Sequence, residues 1–468
     1  MKGGKQVRIT DGCRSGLIPI LFLLVLGAGG VSAQTVEGPV AGAEPSEGER
    51  GMLNPSSMDL DAYGYVEEEF LISGQATRYA MPDTLTDAEV GSEGHSYRTR
   101  FIVRRPPAEA FNGRLVVEWN NVTAGRDLDI DWWQSGDYFM RNGYAFIAAS
   151  PQRVGVNHMR DWNPDRYGEL DVTAGGEIMD DALSYDIFTA IARAALQPAG
   201  GEPDVLDGLR PEVLLATGHS QSAARLAAYI NHVHGLDPVF DGFMVHGGGN
   251  RMRDDQPVKI FRIMAETDMA SRAANPQPDS ETYRHWEVAG TSHVDIPFEQ
   301  EYAAMLARES GERVGAFAPR EQDCERPPYS TIPFRHVMNA AFDHLGRWIS
   351  DDIAPPRAPK FRLLASTPEV LFERDAHGNI LGGIRLAEHA VPAATNTGMN
   401  SGGGFCRLYG SHEPLAESVL EALYPDRDSY LRFVRQAVEQ NLRDGYLLEA
   451  DAMQTLRAAR DSGIGRRD

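Results

Sequence analysis

The chain has 468 residues, of which 42% are hydrophobic, and its formal net charge at pH 7 is −22. The apolar content is ordinary for a globular protein and excludes wholesale disorder, while the length exceeds one average domain. The strong negative charge argues against nucleic acid and anionic membrane surfaces as partners.

The N-terminus has the pattern of a secretory signal peptide. Four basic residues precede the apolar run Leu17–Leu26, and the small residues that follow end at Ala33. The apolar run is shorter than the roughly 20 residues that a membrane-spanning helix needs. We therefore predict a signal peptide over 1–33, export to the periplasm or the medium, and no membrane span in the mature protein.

The region that follows predicts one large catalytic domain over 58–356. Residues 34–57 are rich in Gly, Pro, Glu and Ser, which predicts a disordered leader. Beyond it, short apolar strands alternate with amphipathic helices. Strands are predicted at Tyr65–Tyr79, Tyr97–Arg104, Arg114–Trp119, Tyr144–Ala149, Val213–Thr217, Gly242–His246, Lys259–Ala265 and His285–Val288, and helices at Asp131–Arg141, Met179–Leu196, after Ser220 and at Phe334–Ile349. This alternation predicts an α/β fold with a doubly wound, mostly parallel sheet that has helices on both faces.

The most informative segment covers residues 213–229. A short apolar strand leads through the turn Gly218–Ser220 into a helix of small residues. Such a sharp turn exposes a serine hydroxyl and directs helix N–H groups toward a developing oxyanion. Small side chains are needed where strand and helix backbones nearly touch, and Ser222 and Ala223 supply them. We therefore predict that Ser220 is a nucleophile.

A serine nucleophile needs a histidine base and an acid that orients it. In doubly wound hydrolytic folds these residues follow later strands in the order serine, acid, histidine. The strand Lys259–Ala265 is followed by Glu266 and Asp268, and the next strand is followed by His293. We predict His293 as the base and Asp268 as the acid, because the turn after this strand usually presents its carboxylate there. Glu266 is the alternative acid.

Backbone N–H groups are predicted to form an oxyanion hole. One belongs to Gln221, directly after the nucleophile, and the other to the loop after Arg114–Trp119, where Asn121 and Val122 lie. Removing one such donor typically costs about 10²–10³ in rate. This chemistry needs no cofactor or metal.

Four tryptophans fall in or beside loops at the predicted site. Two interpretations of them are equally supported: they line a substrate pocket, or they anchor the core. The four are Trp119, Trp132, Trp133 and Trp162.

Residues 357–468 differ in character and predict an α+β extension packed on the catalytic domain. A hairpin turn is predicted at Asp375–Asn379, and helices at Leu415–Leu423 and Ser429–Leu442. After signal removal two cysteines remain, Cys324 and Cys406. An even number in an exported protein favours one disulfide, which would tie the extension to the catalytic domain, over two buried free thiols.

These motifs resemble the alpha/beta-hydrolase superfamily and, within it, an exported bacterial group known only as alpha/beta hydrolase domain-containing proteins. The resemblance rests on segments along nearly the whole mature chain: Val116–Asn120, Gly218–Gln221, Glu266–Asp268, Trp286–Gly290 with His293, and Gly402–Cys406. It implies a serine-esterase type of fold with Ser220 as nucleophile and His293 as base, and it implies no particular substrate. The chain departs from the usual motif at Ser222, where glycine is usual.

The residues together predict a secreted or periplasmic serine hydrolase that acts on a small-molecule carboxylic ester. A serine peptidase or amidase would use the same three residues, so this alternative stays open. A non-catalytic binding protein of the same fold is a further alternative, although such proteins usually lack one of the three residues. The sequence does not determine the oligomeric state.

Overall fold

The computed structural model describes residues 1, 34–42, 50–196, 203–312 and 324–466. Except for Met1, the predicted signal peptide 1–33 lies outside these residues and stays a prediction. Among the residues described, no helix is both long enough and apolar enough to cross a membrane.

A nine-stranded sheet forms the centre of the fold. Its strands in chain order are β1 (Thr35–Glu37), β2 (Val66–Ala80), β3 (Glu89–Arg105), β4 (Arg114–Trp119), β5 (Ala145–Ala149), β6 (Val213–His219), β7 (Gly242–His246), β8 (Lys259–Ala265) and β9 (Tyr283–Val288). The order across the sheet is β1-β2-β3-β5-β4-β6-β7-β8-β9. β4 to β9 are parallel to one another, whereas the pairs β1–β2, β2–β3 and β3–β5 are antiparallel. The predicted mostly parallel sheet is confirmed.

Helices cover both faces of this sheet, as the continuous apolar strands require. The helices of the first part of the chain are α1 (Ile130–Arg141), α2 (Arg153–Trp162), α3 (Pro164–Tyr167), α4 (Ser184–Leu196), α5 (Gln221–His232), α6 (Glu266–Met269), α7 (Ile296–Ser310) and α8 (Phe334–Asp351). One core lies between the sheet and α1 with α8, and a second lies between the opposite face and α4 with α5. Every residue of β5, β6 and β7 is buried, which explains why these strands are apolar on both faces.

Helix α1 begins against a buried carboxylate of the neighbouring strand. The side chain of Glu118 accepts hydrogen bonds from the backbone N–H groups of Asp131 and Trp132, at 2.8 and 3.1 Å. Side-chain oxygens at this end of a helix satisfy N–H groups that have no acceptor within the helix. Burial raises the pKa of Glu118 well above its ordinary value, and the nearby Asp131 acts in the same direction.

Several sequence predictions for loops are wrong. The leader 34–57 is not disordered throughout, because β1 pairs with β2 and residues 51–54 are buried. Trp162, which the sequence places in or beside a loop, is the last residue of α2, and α3 follows directly. Helix α7 was not predicted at all, although Asp295 caps it by accepting a hydrogen bond from Phe298 N–H, and Gly311 ends it in the left-handed region at φ 75°.

The tryptophans support the core interpretation rather than the pocket one. Trp119 packs in the core on the α4 and α5 face, and Trp132 and Trp133 pack in the core on the α1 and α8 face. All three are buried. Trp162 is partly buried and lies on a surface cavity away from Ser220.

The remaining chain packs along the β9 edge of the sheet and against α1 and α8. Its elements are β10 (Leu363–Ala365), β11 (Leu371–Phe372), α9 (Ala387–Ala390), β12 (Ala394–Thr397), α10 (Cys406–Tyr409), β13 (Ser411–Pro414), α11 (Glu417–Leu423), α12 (Arg427–Asp444) and α13 (Glu449–Asp461). Ile384 forms a parallel bridge with Val288 of β9, so the tail extends the sheet beyond its last strand. A Cys324–Cys406 disulfide ties α10 to the rest of the chain, as predicted.

Candidate active site

The turn between β6 and α5 holds Ser220 in a strained backbone conformation. Its φ of 59° and ψ of −112° are unusual for a residue with a Cβ atom. Strand β6 and helix α5 lie close together at this turn. A Cβ atom on Gly218 would lie only 3.2 Å from the carbonyl carbon and the hydroxyl oxygen of Ser222. The Ser222 hydroxyl donates to the carbonyl oxygen of His219 at 2.8 Å, so it occupies the usual glycine position with its polar atom paired.

The structure brings together the three residues predicted from the order of the strands. His293 Nε2 lies 2.8 Å from Ser220 Oγ, and His293 Nδ1 lies 2.5 Å from Asp268 Oδ1. The other Asp268 oxygen, Oδ2, accepts the N–H of Ala265 at 2.8 Å, which fixes the carboxylate. With Nδ1 donating to Asp268, Nε2 is left to accept the serine proton. This is the arrangement in which a hydroxyl becomes a nucleophile.

Glu266, the alternative acid, lies elsewhere. Its Oε1 accepts a hydrogen bond from Arg374 Nη2 at 2.6 Å, and its Oε2 accepts the N–H of Gly290 at 3.2 Å. Burial raises the pKa of Glu266, and the charge of Arg374 opposes that rise. Glu266 therefore holds the tail and the loop before His293 in place, while Asp268 contacts the imidazole.

The predicted oxyanion hole requires one correction. The N–H of Asn121 donates to the carbonyl oxygen of Leu128 at 2.9 Å, so this group is not free to bind an oxyanion. The N–H of Val122 makes only a long contact, 3.5 Å, to Gln221 Oε1. The N–H of Gln221 opens α5 and has no acceptor among the residues that the structure describes. Gln221 and Val122 thus remain as candidate donors.

A stack of histidines behind the site was not predicted. The ring of His219 lies between His246 and His293, with centroid distances of 4.2 and 4.4 Å. Burial lowers the pKa of His219 well below its ordinary value, with the two neighbouring imidazoles acting in the same direction. His246 Nδ1 lies 2.7 Å from Asp131 Oδ1, which fixes the far end of the stack. A neutral His219 leaves the proton chemistry to His293.

A cavity of about 180 Å³ opens beside Ser220 and His293. Its walls are mostly apolar and come from the loop after β4, from α7 and from the tail. The residues that line it besides the two named are Asn121, Thr123, Ala124, Leu128, Ile130, His219, Val294, Phe298, Glu299, Tyr302, Phe405, Leu408 and Tyr409. The apolar side chains of this lining suit an apolar substrate group beside the serine and the histidine.

The tail holds the loop that carries His293. The backbone N–H of Val294 donates to the Leu408 carbonyl oxygen at 2.9 Å, next to the disulfide-bonded Cys406. Gly398 lies between the turn that carries Asp268 and the loop that carries His293. A Cβ atom on Gly398 would lie 2.4 Å from the N atom of Thr267. Residues of the tail are therefore part of the site.

We expect the double variant Cys324→Ser, Cys406→Ser to unfold more easily and to bind substrate less well. The bond closes a loop with a sequence separation of 82 residues, and such a crosslink contributes about 2–4 kcal/mol to the free energy of unfolding. Urea denaturation should show this loss, and KM for an ester should rise more than kcat falls, because Leu408 and Tyr409 line the cavity. An unchanged KM together with full stability would show that α10 is held without the disulfide.

Within the described part of the chain, no cluster of three or more His, Cys, Asp or Glu side chains has an arrangement suited to a metal ion.

One comparison with known proteins, that with family models, agrees with the fold. A family model described as Alpha/beta hydrolase domain matches residues 36–457. No curated protein sequence matches this chain significantly. Among solved structures, a glucuronoyl esterase from Teredinibacter turnerae is 9% identical, with 60% of this chain and 79% of that chain covered and a TM-score of 0.27. A serine hydrolase without a lid from Xanthomonas campestris is 15% identical, with 45% and 88% covered and a TM-score of 0.25. At these TM-scores the two structures carry no argument about activity.

Proposed function

The chain belongs to the alpha/beta hydrolase domain family, and we propose that it is a serine hydrolase that cleaves carboxylic esters of small molecules through an acyl-enzyme on Ser220. One observation carries the proposal: Ser220, His293 and Asp268 form a continuous hydrogen-bonded series beside an apolar cavity. The strained backbone of Ser220 supports it, because such strain concentrates at functional positions.

In the acylation step, Ser220 Oγ attacks the ester carbonyl carbon while its proton passes to His293 Nε2. The carboxylate of Asp268 stabilises the imidazolium that forms. The carbonyl oxygen becomes an oxyanion, which the N–H groups of Gln221 and Val122 bind. The bond to the alcohol oxygen then breaks, and the imidazolium gives its proton to the departing alkoxide, so that a neutral alcohol leaves.

In the deacylation step, water attacks the acyl carbon and His293 Nε2 takes one of its protons. The second tetrahedral intermediate collapses, the bond to Ser220 Oγ breaks, and the imidazolium returns the proton to the serine. The products are a carboxylic acid and an alcohol, and the residues regain their starting protonation states.

The cavity supports a substrate with a compact apolar group. Leu128, Phe298, Tyr302, Leu408 and Tyr409 all line it. An aliphatic or aromatic group can be buried there, with a gain of about 25 cal/mol per Å² of apolar surface. His219 also lines the cavity and, being neutral, contributes no charge to it.

We also propose that the protein works outside the cytoplasm. The predicted signal peptide at 1–33 supports this, as does the Cys324–Cys406 disulfide, since such bonds persist in oxidising compartments.

The proposed reaction class can be tested with the purified mature chain and a fluorophosphonate probe. We expect the probe to attach to Ser220, as located by mass spectrometry of proteolytic peptides. A p-nitrophenyl ester of a short aliphatic acid should be hydrolysed at least about 100-fold faster than the matching p-nitroanilide, a difference of ~2.7 kcal/mol in the barrier. Faster cleavage of the anilide would identify an amidase, and an unlabelled Ser220 would identify a binding protein.

A further inference from the structure

A second cavity lies behind the catalytic acid and contains an unusual concentration of positive charge. It has a volume of about 260 Å³ and lies on the sheet face of β8 and β9. Arg262 of β8 and His285 of β9 are direct partners in the parallel register, so their side chains stand next to each other on this face. Loop residues at 249–251 and 271–277 form the remaining walls, and they include Arg251 and Arg272.

None of these three arginines has a carboxylate partner within 4.0 Å among the residues that the structure describes. Ion pairs are common elsewhere in this acidic chain: Arg100, Arg104 and Arg166, for example, each contact at least one carboxylate. Burial and the charge of Arg262 lower the pKa of Arg272, and the charge of Asp268 opposes this in part. The two guanidinium groups therefore repel each other across the cavity, and a bound anion would relieve that repulsion.

Two of the buried side chains in the cavity have polar atoms with no hydrogen-bond partner in the described structure. Arg262 is 6% exposed, and its Nε donates to nothing, although its Nη2 donates to the Gly249 carbonyl oxygen at 2.6 Å. His285 is 2% exposed, and neither ring nitrogen makes a hydrogen bond. Unpaired buried donors are costly, so their presence on a cavity wall indicates a missing acceptor.

The acidic residues in the neighbourhood are already engaged. Asp279 pairs with Arg284 at 3.1 Å, and Asp268 holds His293. Glu287 accepts the N–H of Phe361 at 2.7 Å, and its nearest oxygen is 3.9 Å from His285 Nδ1. Among the described residues, these carboxylates therefore form no direct ion pair with an arginine of the cavity.

We propose that this cavity is a binding site for a small oxyanion, a phosphate or a carboxylate, held by Arg251, Arg262 and Arg272. Guanidinium groups bind both kinds of anion with paired hydrogen bonds, and a neutral His285 adds one further donor. The volume is far larger than the roughly 30 Å³ that one water molecule occupies in the liquid. The site also adjoins the catalytic acid, because Arg272 Nη1 donates to the backbone carbonyl oxygen of Asp268 at 3.0 Å.

Thermal unfolding of the full mature chain tests this site independently of any activity. At a constant ionic strength of about 0.15 M set with NaCl, adding ~10 mM inorganic phosphate or succinate should raise Tm by about 1–3 °C if Kd is near 1 mM. Such a low concentration avoids the general stabilisation that high phosphate gives every protein. The anion that raises Tm more identifies the preferred chemistry.

Variants of the two less buried arginines should abolish the shift. We expect Arg251→Gln and Arg272→Gln to show no rise in Tm with either anion, whereas Arg357→Gln, an exposed arginine outside the cavity, should keep the full rise. Equal Tm values in chloride and in both oxyanions for the unmodified chain would overturn the proposal. So would a rise that persists in both cavity variants.

Discussion

Replacing Ser220 with alanine is expected to lower kcat for a p-nitrophenyl ester by about 10⁴–10⁶, the range seen when a serine nucleophile is removed. The fold should survive, because Ala has no larger side chain and the φ of 59° is equally strained for both residues. Steady-state kinetics with the purified variant measures the loss, and labelling by the fluorophosphonate probe should disappear with it.

Ser222→Ala is the matched control for this experiment. It removes a hydroxyl two residues further along, where the lost bond to the His219 carbonyl oxygen should cost about 0.5–1.5 kcal/mol of stability. We expect its kcat to stay within about tenfold of the unmodified enzyme, a barrier change of no more than ~1.4 kcal/mol. A Ser220→Ala protein that retains the rate of the Ser222→Ala protein would refute the acyl-enzyme mechanism.

The sequence was sufficient to predict the parts of the site that depend on topology. Parallel strands end at the same edge of a sheet, so Ser220 after β6, Asp268 after β8 and His293 after β9 had to meet there. The strands themselves were predictable because they are buried on both faces and therefore continuously apolar. The mostly parallel sheet follows from the same pattern.

The choice between Asp268 and Glu266 could not be made from the sequence. Both carboxylates occupy one turn, and what separates them is Arg374, which binds Glu266 from 108 residues further along the chain. No local pattern reveals such a partner. The occupied N–H of Asn121 is a similar case, because its acceptor at Leu128 depends on how the intervening loop folds.

The cavity was missed for two different reasons. Helix α7 carried recognisable signals, with Asp295 as its N-cap and Gly311 after its end, so Phe298 and Tyr302 could have been placed beside the site. Leu408 and Tyr409 could not, since the predicted disulfide alone does not place them and their position also depends on backbone bonds to distant loops. The histidine stack had only one hint, the position of His219 directly before the nucleophile.

Asp268→Asn and Glu266→Gln should separate the roles of the two acidic residues. We expect Asp268→Asn to lower kcat by about 10³–10⁴, because an amide no longer stabilises the imidazolium and favours the wrong tautomer of His293. Glu266→Gln should keep kcat within about tenfold, a change of at most ~1.4 kcal/mol in the barrier. Both substitutions preserve side-chain volume, so steady-state kinetics on the same ester compares them directly.

In stability measurements we expect the opposite order: Glu266→Gln should lose more stability than Asp268→Asn. Glu266→Gln leaves Arg374 without its anionic partner. Breaking a fully buried pair in this way usually lowers the free energy of unfolding by about 3–5 kcal/mol. We expect a loss of about 1–3 kcal/mol here, because the Arg374 side chain is 27% exposed. The Asp268 carboxylate has no arginine within 4.0 Å among the described residues, so its substitution should cost less in urea denaturation. If Glu266→Gln lost most of the activity while Asp268→Asn kept it, the assignment of the acid would have to be reversed, even though only Asp268 touches the imidazole.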